Sequence, residues 1–267
     1  MLLLHYLRAM KGIVGRELWR FVQQRERFFS ALVRPMIWLF VFAAGFKSVL
    51  GIAIAPPYET YILYEVYITP GLLGMIQLFN GMQSSLSMVY DREMGSMRIL
   101  LVSPLPRSFL LISKLLAGTA VSIVQCYVFL AIAWCYGIEP PVMGYLWLFP
   151  ALVVSGLMLG SLGMLLSSFI KQLENFAGVM NFVIFPMFFM SSALYPLWKL
   201  QESNEWLARL AEYNPFTKNV ELIRFALYGQ LNIEALYYTV ASLLLFLFVA
   251  IQGYNPSRGM MNKKKGR

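Results

Sequence analysis

Long apolar runs, charged only at Lys47 in the first and Lys114 in the third and cut by polar breaks, set the pattern of this chain. A helix needs about 20 apolar residues to cross a hydrocarbon core roughly 30 Å thick. Six runs meet that requirement, at 35–55, 70–90, 109–136, 145–170, 175–194 and 235–254. Pro70 suits the first turn of the second run, where a missing N–H leaves no bond unmade. Pro186 falls inside the fifth run and predicts a kink. The break between the third and fourth runs is short and carries Pro140 and Pro141, which predicts antiparallel neighbours. The expected fold is an all-α membrane protein with six transmembrane helices.

Three other segments carry their own patterns. From Arg16 to Leu32 a helical wheel places Arg16, Arg20 and Arg27 within about 40° of one another, opposite Leu18, Val22, Phe29 and Leu32. Such a stripe marks an amphipathic interfacial helix on the membrane surface, although Arg25 falls on its apolar side. Tyr58, Tyr61, Tyr64 and Tyr67 precede the second run and read as an outer aromatic belt. Residues 197–234 form a long outer segment between the fifth and sixth runs. Within it Asn214 is placed as an N-cap, Pro215 as a first-turn proline and Gly229 as a helix stop. Val220, Ile223 and Leu227 share one face, so an outer helix should rest on the bundle.

Composition fixes the class. The chain is 59% hydrophobic and 13% charged, against roughly 45–50% and about 25% in soluble domains. Disorder, a collagen-like or disulfide-built scaffold and a soluble enzyme core are excluded. Of the 22 Lys and Arg, 17 lie in the segment ending at Arg34, the second-to-third and fourth-to-fifth connections and the C-terminal tail, and 5 on the opposite side. Positive-inside bias then predicts that both termini are cytoplasmic. The net charge of +9 reads as attraction to anionic lipid, with no nucleic-acid role. One domain is expected over 1–267: an interfacial helix at 1–34, a six-span bundle at 35–254 and a basic cytoplasmic tail at 255–267. The opening MLLLHYLRAMKG lacks the pattern of a cleaved secretory signal.

Parts for chemistry are scarce. His5 is the single histidine and Asp91 the single aspartate, so a Ser–His protease, a bis-histidine haem site and an intramembrane aspartyl pair all lack residues. Metal ligands in reach of one another are not expected, and no GxxxxGK[ST] nucleotide loop occurs. Cys126 and Cys135 lie on opposite sides of one helical run, about 13.5 Å apart along its axis, and read as small apolar fillers. An ion-coupled carrier would want carboxylates inside its spans; here Glu65 precedes the second run and Glu174 abuts the fifth. Gly156, Gly160 and Gly163 form a close-packing face in the fourth run, read first as packing within the chain and second as a dimer contact.

The connection after the second run is the most specific stretch. Asp91, Arg92 and Glu93 alternate in charge, Gly95 permits a bend, Met97, Ile99 and Leu100 make an amphipathic turn, and Pro104 and Pro106 follow. On physical grounds it is a short surface helix held between two spans, able to receive a push from a partner. This stretch resembles the permease subunits of type-2 ABC exporters. The matching residues are Pro70 and Gly71, then Asp91, Arg92, Glu93 and Gly95, then Leu101, Ser103, Pro104, Leu105, Arg107, Leu111 and Lys114. A second family feature, an asparagine-proline helix with a downstream arginine, matches Asn214, Pro215 and Arg224. More narrowly, the chain resembles permeases that accompany quinoprotein alcohol-oxidation systems in Gram-negative bacteria.

The resemblance implies a half-channel in a bacterial inner membrane. Two permease copies would pair through the first and fifth spans and dock two separate ABC ATPase subunits. ATP and Mg would bind those partners, leaving this chain with no cofactor and no enzymatic role. The helix carrying Arg16, Arg20 and Arg27 would be the connecting helix. Asp91, Arg92, Glu93, Met94, Gly95, Ser96 and Met97 would form the coupling segment, and the outer helices would cap the exit. Two further readings stay open on the residues alone: a non-transporting anchor or remodelling subunit for an ATPase, and a stand-alone secondary carrier.

Overall fold

The computed structural model describes residues 2–23, 25–46, 56–58, 62–93, 105–170 and 172–254. Its helices run in the order α1 (Leu2–Gln23), α2 (Arg25–Phe46), α3 (Tyr64–Glu93), α4 (Arg107–Cys135), α5 (Val142–Phe169) and α6 (Leu173–Phe189). They continue with α7 (Leu197–Ser203), α8 (Glu205–Tyr213), α9 (Pro215–Leu227) and α10 (Ile233–Gly253). Among the described residues, three stretches are long and apolar enough to cross a membrane: Ser108–Cys135, Val142–Phe169 and Ile233–Gly253. The other three expected spans are not among them, and each differs in its described part. The described apolar part of α2 is Leu32–Val41. The 30 residues of α3 include Gln77, Asn80 and Gln83 and end on Asp91, Arg92 and Glu93. At 17 residues, α6 reaches only about 25 Å.

Boundaries shift where a proline reads as a helix start in the sequence. Pro35 lies inside α2 and Pro70 inside α3, in its second turn. The amphipathic segment expected over 16–32 runs along the end of α1 and the start of α2, and Gln24 between them lies outside the described residues. Of its arginines, Arg16 is exposed beside Glu17 at 3.5 Å; the side chains of Arg20 and Arg27 lie outside the described residues. Helix α1 packs on the start of α4, where Tyr6 meets Phe109 edge-on with ring centroids 5.0 Å apart.

At the centre of the bundle, α5 packs against α3, α4, α9 and α10. Its glycines make that possible. A Cβ at Gly81 of α3 would stand 2.9 Å from the Gly160 backbone, one at Gly163 would stand 2.6 Å from Ser85 Oγ, and one at Gly156 would stand 2.8 Å from Thr119 Cγ2. The small residues therefore seat α5 against α3 and α4 of the same chain. Buried polar pairs sit on the same seam: Gln77 Nε2 donates to the Leu152 carbonyl at 2.8 Å, and Ser155 Oγ donates to Gln77 Oε1. Away from this centre, α10 buries little besides Ala235, Thr239 and Ala250.

Candidate functional site

Two ends of the bundle carry polar machinery, and a cavity lies between them. At one end the outer segment is fastened by Arg224, which is 2% exposed. Its Nη1 donates to Glu221, its Nη2 donates to the Ser192 carbonyl at 2.7 Å, and its guanidinium sits 4.2 Å from the Tyr67 ring centroid. Tyr67 in turn donates to the same Ser192 carbonyl at 3.0 Å, and Tyr64 donates to the Leu194 carbonyl at 2.8 Å. Burial works against the arginine's charge, but Glu221 and the nearby Tyr67 more than offset it, so Arg224 stays protonated. A charged group this deep is tolerated because it is paired and hydrogen-bonded.

Asn214 serves two helices at once. Its Oδ1 accepts from the Phe216 N–H at 3.0 Å and caps α9, while its Nδ2 donates to the Met187 and Met190 carbonyls at 2.8 and 2.6 Å. Those carbonyls belong to the last turn of α6 and the residue after it, where helical partners run out. Pro215 occupies the first helical position. Gly229 follows α9 with φ +72°, a conformation that costs little only for glycine. Val220, Ile223 and Leu227 are buried, as their spacing predicts. The tyrosines correct the expectation of an outer belt. Tyr58, Tyr64 and Tyr67 are buried, the latter two with their hydroxyls spent on loop carbonyls and Tyr67 with its ring beneath Arg224. Tyr61 lies outside the described residues.

At the opposite end, α3 reaches the start of α6. Glu93 Oε2 accepts a hydrogen bond from the Leu173 N–H at 3.2 Å. Its carboxylate thus sits on a helix N-terminus, where the backbone dipole favours negative charge. Asp91 and Arg92 belong to α3, but their side chains, and residues Met94, Gly95, Ser96 and Met97 altogether, lie outside the described residues.

Between these ends, residues of α2, α3 and α6 line a cavity of about 180 Å³. Arg34 stands at it with its guanidinium 4.0 Å from the Phe79 ring centroid. Asn80 and Gln83 contribute amides, and Met75, Ile76 and Met180 contribute apolar wall. Toward the Arg224 end the gap between α2 and α6 holds Trp38, whose ring lies 6.1 and 5.8 Å from those of Phe188 and Phe189. Sequence reasoning misses this site. Its one visible signal is the polar series Gln77, Asn80 and Gln83 within an otherwise apolar run. Among the described residues, no group of three or more His, Cys, Asp or Glu is placed to hold a metal.

Comparison with known proteins decides the family. The model of the ABC-2 type transporter family matches residues 8–228. The chain belongs to the ABC-2 type transporter family. It is similar to the transport permease ycf38 of Cyanophora paradoxa, 28% identical over 217 residues, covering 77% of this chain and 70% of the relative. It is also similar to the ABC transporter permease YbhR of Escherichia coli K12, 34% identical over 162 residues, covering 59% of this chain and 42% of the relative. Nodulation protein J of Rhizobium leguminosarum bv. viciae is 22% identical over 215 residues, with 74% of each chain covered. Membership makes this an ABC-2 type permease, a multi-pass membrane protein of a family that in general works with an ABC ATPase.

Proposed function

We propose that this ABC-2 chain is the permease half of an ATP-driven exporter. Two copies line one path, and separate ATPase subunits drive it by pushing on residues 91–97. The observation that carries this reading is the cavity between α2, α3 and α6. It lies between the end where Glu93 meets Leu173 and the end where Trp38 packs against Phe188 and Phe189. A stroke delivered at Glu93 would move α3 and α6 together, and those helices form two of the cavity's three walls.

In this reading α2, α3 and α6 complete a set of six spans in a bacterial inner membrane, with both termini cytoplasmic. Their polar residues face the path and the second copy. Phe40 of α2 and Phe185 of α6, both exposed, lie on the two helices that meet that copy. Asp91, Arg92, Glu93, Met94, Gly95, Ser96 and Met97 form the ATPase contact, and Asn214, Pro215 and Arg224 hold the outer cap.

Two measurements test the reading together. Cysteine crosslinking from positions 40 and 185 should trap a dimer of the chain. Inverted vesicles holding the chain and its ATPase should accumulate at least one member of a panel of labelled amphiphilic solutes on adding ATP. ATP turnover without flux across the whole panel would favour a membrane-remodelling subunit instead.

A further inference from the structure

We propose that one water molecule is an integral part of the seam between α3, α4 and α5, bound by the hydroxyl of Thr119 and joining α4 to α3. The proposal stands apart from the export reading and needs no partner chain.

Thr119 is the starting point. It lies well inside α4, in a stretch long and apolar enough to cross a membrane, and is only 4% exposed. Its backbone carbonyl accepts from Ser122 Oγ at 2.8 Å, but among the described residues its own Oγ1 has no hydrogen-bond partner. A hydroxyl this deep ordinarily finds one, because an unmade bond leaves its full desolvation cost standing. The common local answer is a bond to the carbonyl one turn back. Ser85 of α3 takes it, donating to the Gly81 carbonyl at 2.9 Å; Thr119 Oγ1 does not.

Space for a partner lies beside it. Thr119 shares with Ser122 of α4, Gln77 and Ser85 of α3 and Gly156 of α5 the wall of a cavity of about 10 Å³. That is about the least that holds one water, and it is too small for any larger molecule. Gly156 keeps it open, since a Cβ there would stand 2.8 Å from Thr119 Cγ2 and 3.3 Å from Ser122 Oγ.

The wall also decides the occupant. Among the described residues no charged side chain lines it, so an ion of either sign would lack its counter-charge. An apolar occupant would leave Thr119 unbonded. Gln77 is engaged through both amide atoms, with the Leu152 carbonyl and with Ser155. Ser122 and Ser85 donate to carbonyls of their own helices and keep lone pairs that accept. A water accepting from Thr119 Oγ1 and donating to those two serines makes the three bonds usual for buried water. It thereby links α4 to α3 where no direct bond joins these three hydroxyls.

The test uses the purified full chain in lipid nanodiscs and sets two opposite signs against each other. With water bound, Thr119→Val removes its donor and strands it, so the unfolding midpoint should fall by about 2–4 °C. Without water, the same change would delete a hydroxyl that has no partner, and the midpoint would hold or rise. A structure at a resolution that shows ordered solvent should place one water within hydrogen-bonding distance of residue 119 in the unaltered chain and in Thr119→Ser, which keeps the hydroxyl. That measurement decides the matter if Thr119→Val does not fold. Replacing sodium by choline at constant ionic strength should leave the midpoint unchanged, whereas a sodium-dependent midpoint would mean that a cation fills the site. A Thr119→Val midpoint at or above that of the unaltered chain, no water at residue 119, or sodium dependence would each overturn the proposal.

Discussion

Glu93, the last residue of α3, accepts a hydrogen bond from the backbone N–H of Leu173, the first residue of α6, at 3.2 Å. The two residues are 80 positions apart in sequence. The N-terminus of α6 favours the negative charge of that carboxylate. The contact makes one mechanical unit of two helices that flank the cavity. Glu93→Ala should therefore lower transport per ATP hydrolysed, while Glu93→Gln, whose amide oxygen still accepts from Leu173, should retain more of it. Because the dipole interaction is worth only about 0.3–1 kcal/mol, chain stability should scarcely change. ATPase rate and flux, read on one reconstituted sample, check this; equal coupling in both variants would remove the contact from the mechanism.

Arg224 yields a stability prediction. Replacing it by methionine strands Glu221 and leaves the Ser192 carbonyl with Tyr67 as its remaining side-chain donor. Breaking one partner of a buried ion pair typically costs about 3–5 kcal/mol. Adding Glu221→Gln to Arg224→Met should recover part of that loss. Thermal unfolding in detergent of the single and double variants gives the comparison, and a double variant no more stable than the single would contradict it.

The close approach of α3 and α5 predicts an order among glycine substitutions. Gly81→Ala would press a methyl onto the Gly160 backbone, whereas Gly160→Ala would press mainly on the movable end of Leu115. Overpacking costs about 1–3 kcal/mol when the neighbour cannot yield. Gly81→Ala should lower the unfolding midpoint clearly more than Gly160→Ala, and Gly12→Ala, with open space around it, should not lower it. The reverse order would mean that the seam is not rigid.

Alkaline pH should loosen the outer segment. Burial pushes the Tyr228 hydroxyl up to about 12 from its ordinary 10.0, with Arg224 opposing. The folded chain then holds a proton that the unfolded chain releases, so stability is intact below the ordinary tyrosine value and falls as pH rises toward the folded one. Tyr228→Phe should flatten part of that fall in a pH series of unfolding midpoints. A fall of unchanged size would assign it to other groups.

Much of this architecture is legible in the sequence, for identifiable reasons. Helices α4, α5 and α10 begin and end close to their expected limits because apolar runs meet prolines or polar caps at their ends. Asn214, Pro215 and Gly229 mark α9 by local chemistry that needs no tertiary context. Pro70 misleads because proline is tolerated inside a helix whose other bonds are satisfied, so it does not mark the start of α3. The tyrosines mislead because an aromatic run looks alike whether it faces lipid or an arginine far along the chain, as Tyr67 faces Arg224. Arg34 reads in the sequence as one basic charge among many, since only tertiary structure shows that it stands over Phe79 beside a cavity.

A path operated between α2 and α6 can be tested directly by a distance measurement that needs no knowledge of the substrate. Cys135 is exposed and free, so it is first replaced by serine. Spin labels are then placed at Ile37 of α2 and Phe182 of α6, both exposed, in the chain assembled with its ATPase. If ATP closure drives the path, the label distances should shift between the nucleotide-free and ATP–vanadate-trapped states. Asp91→Ala with Glu93→Ala should reduce that shift while the ATPase remains bound. Identical distance distributions in both states would contradict a path operated between these helices.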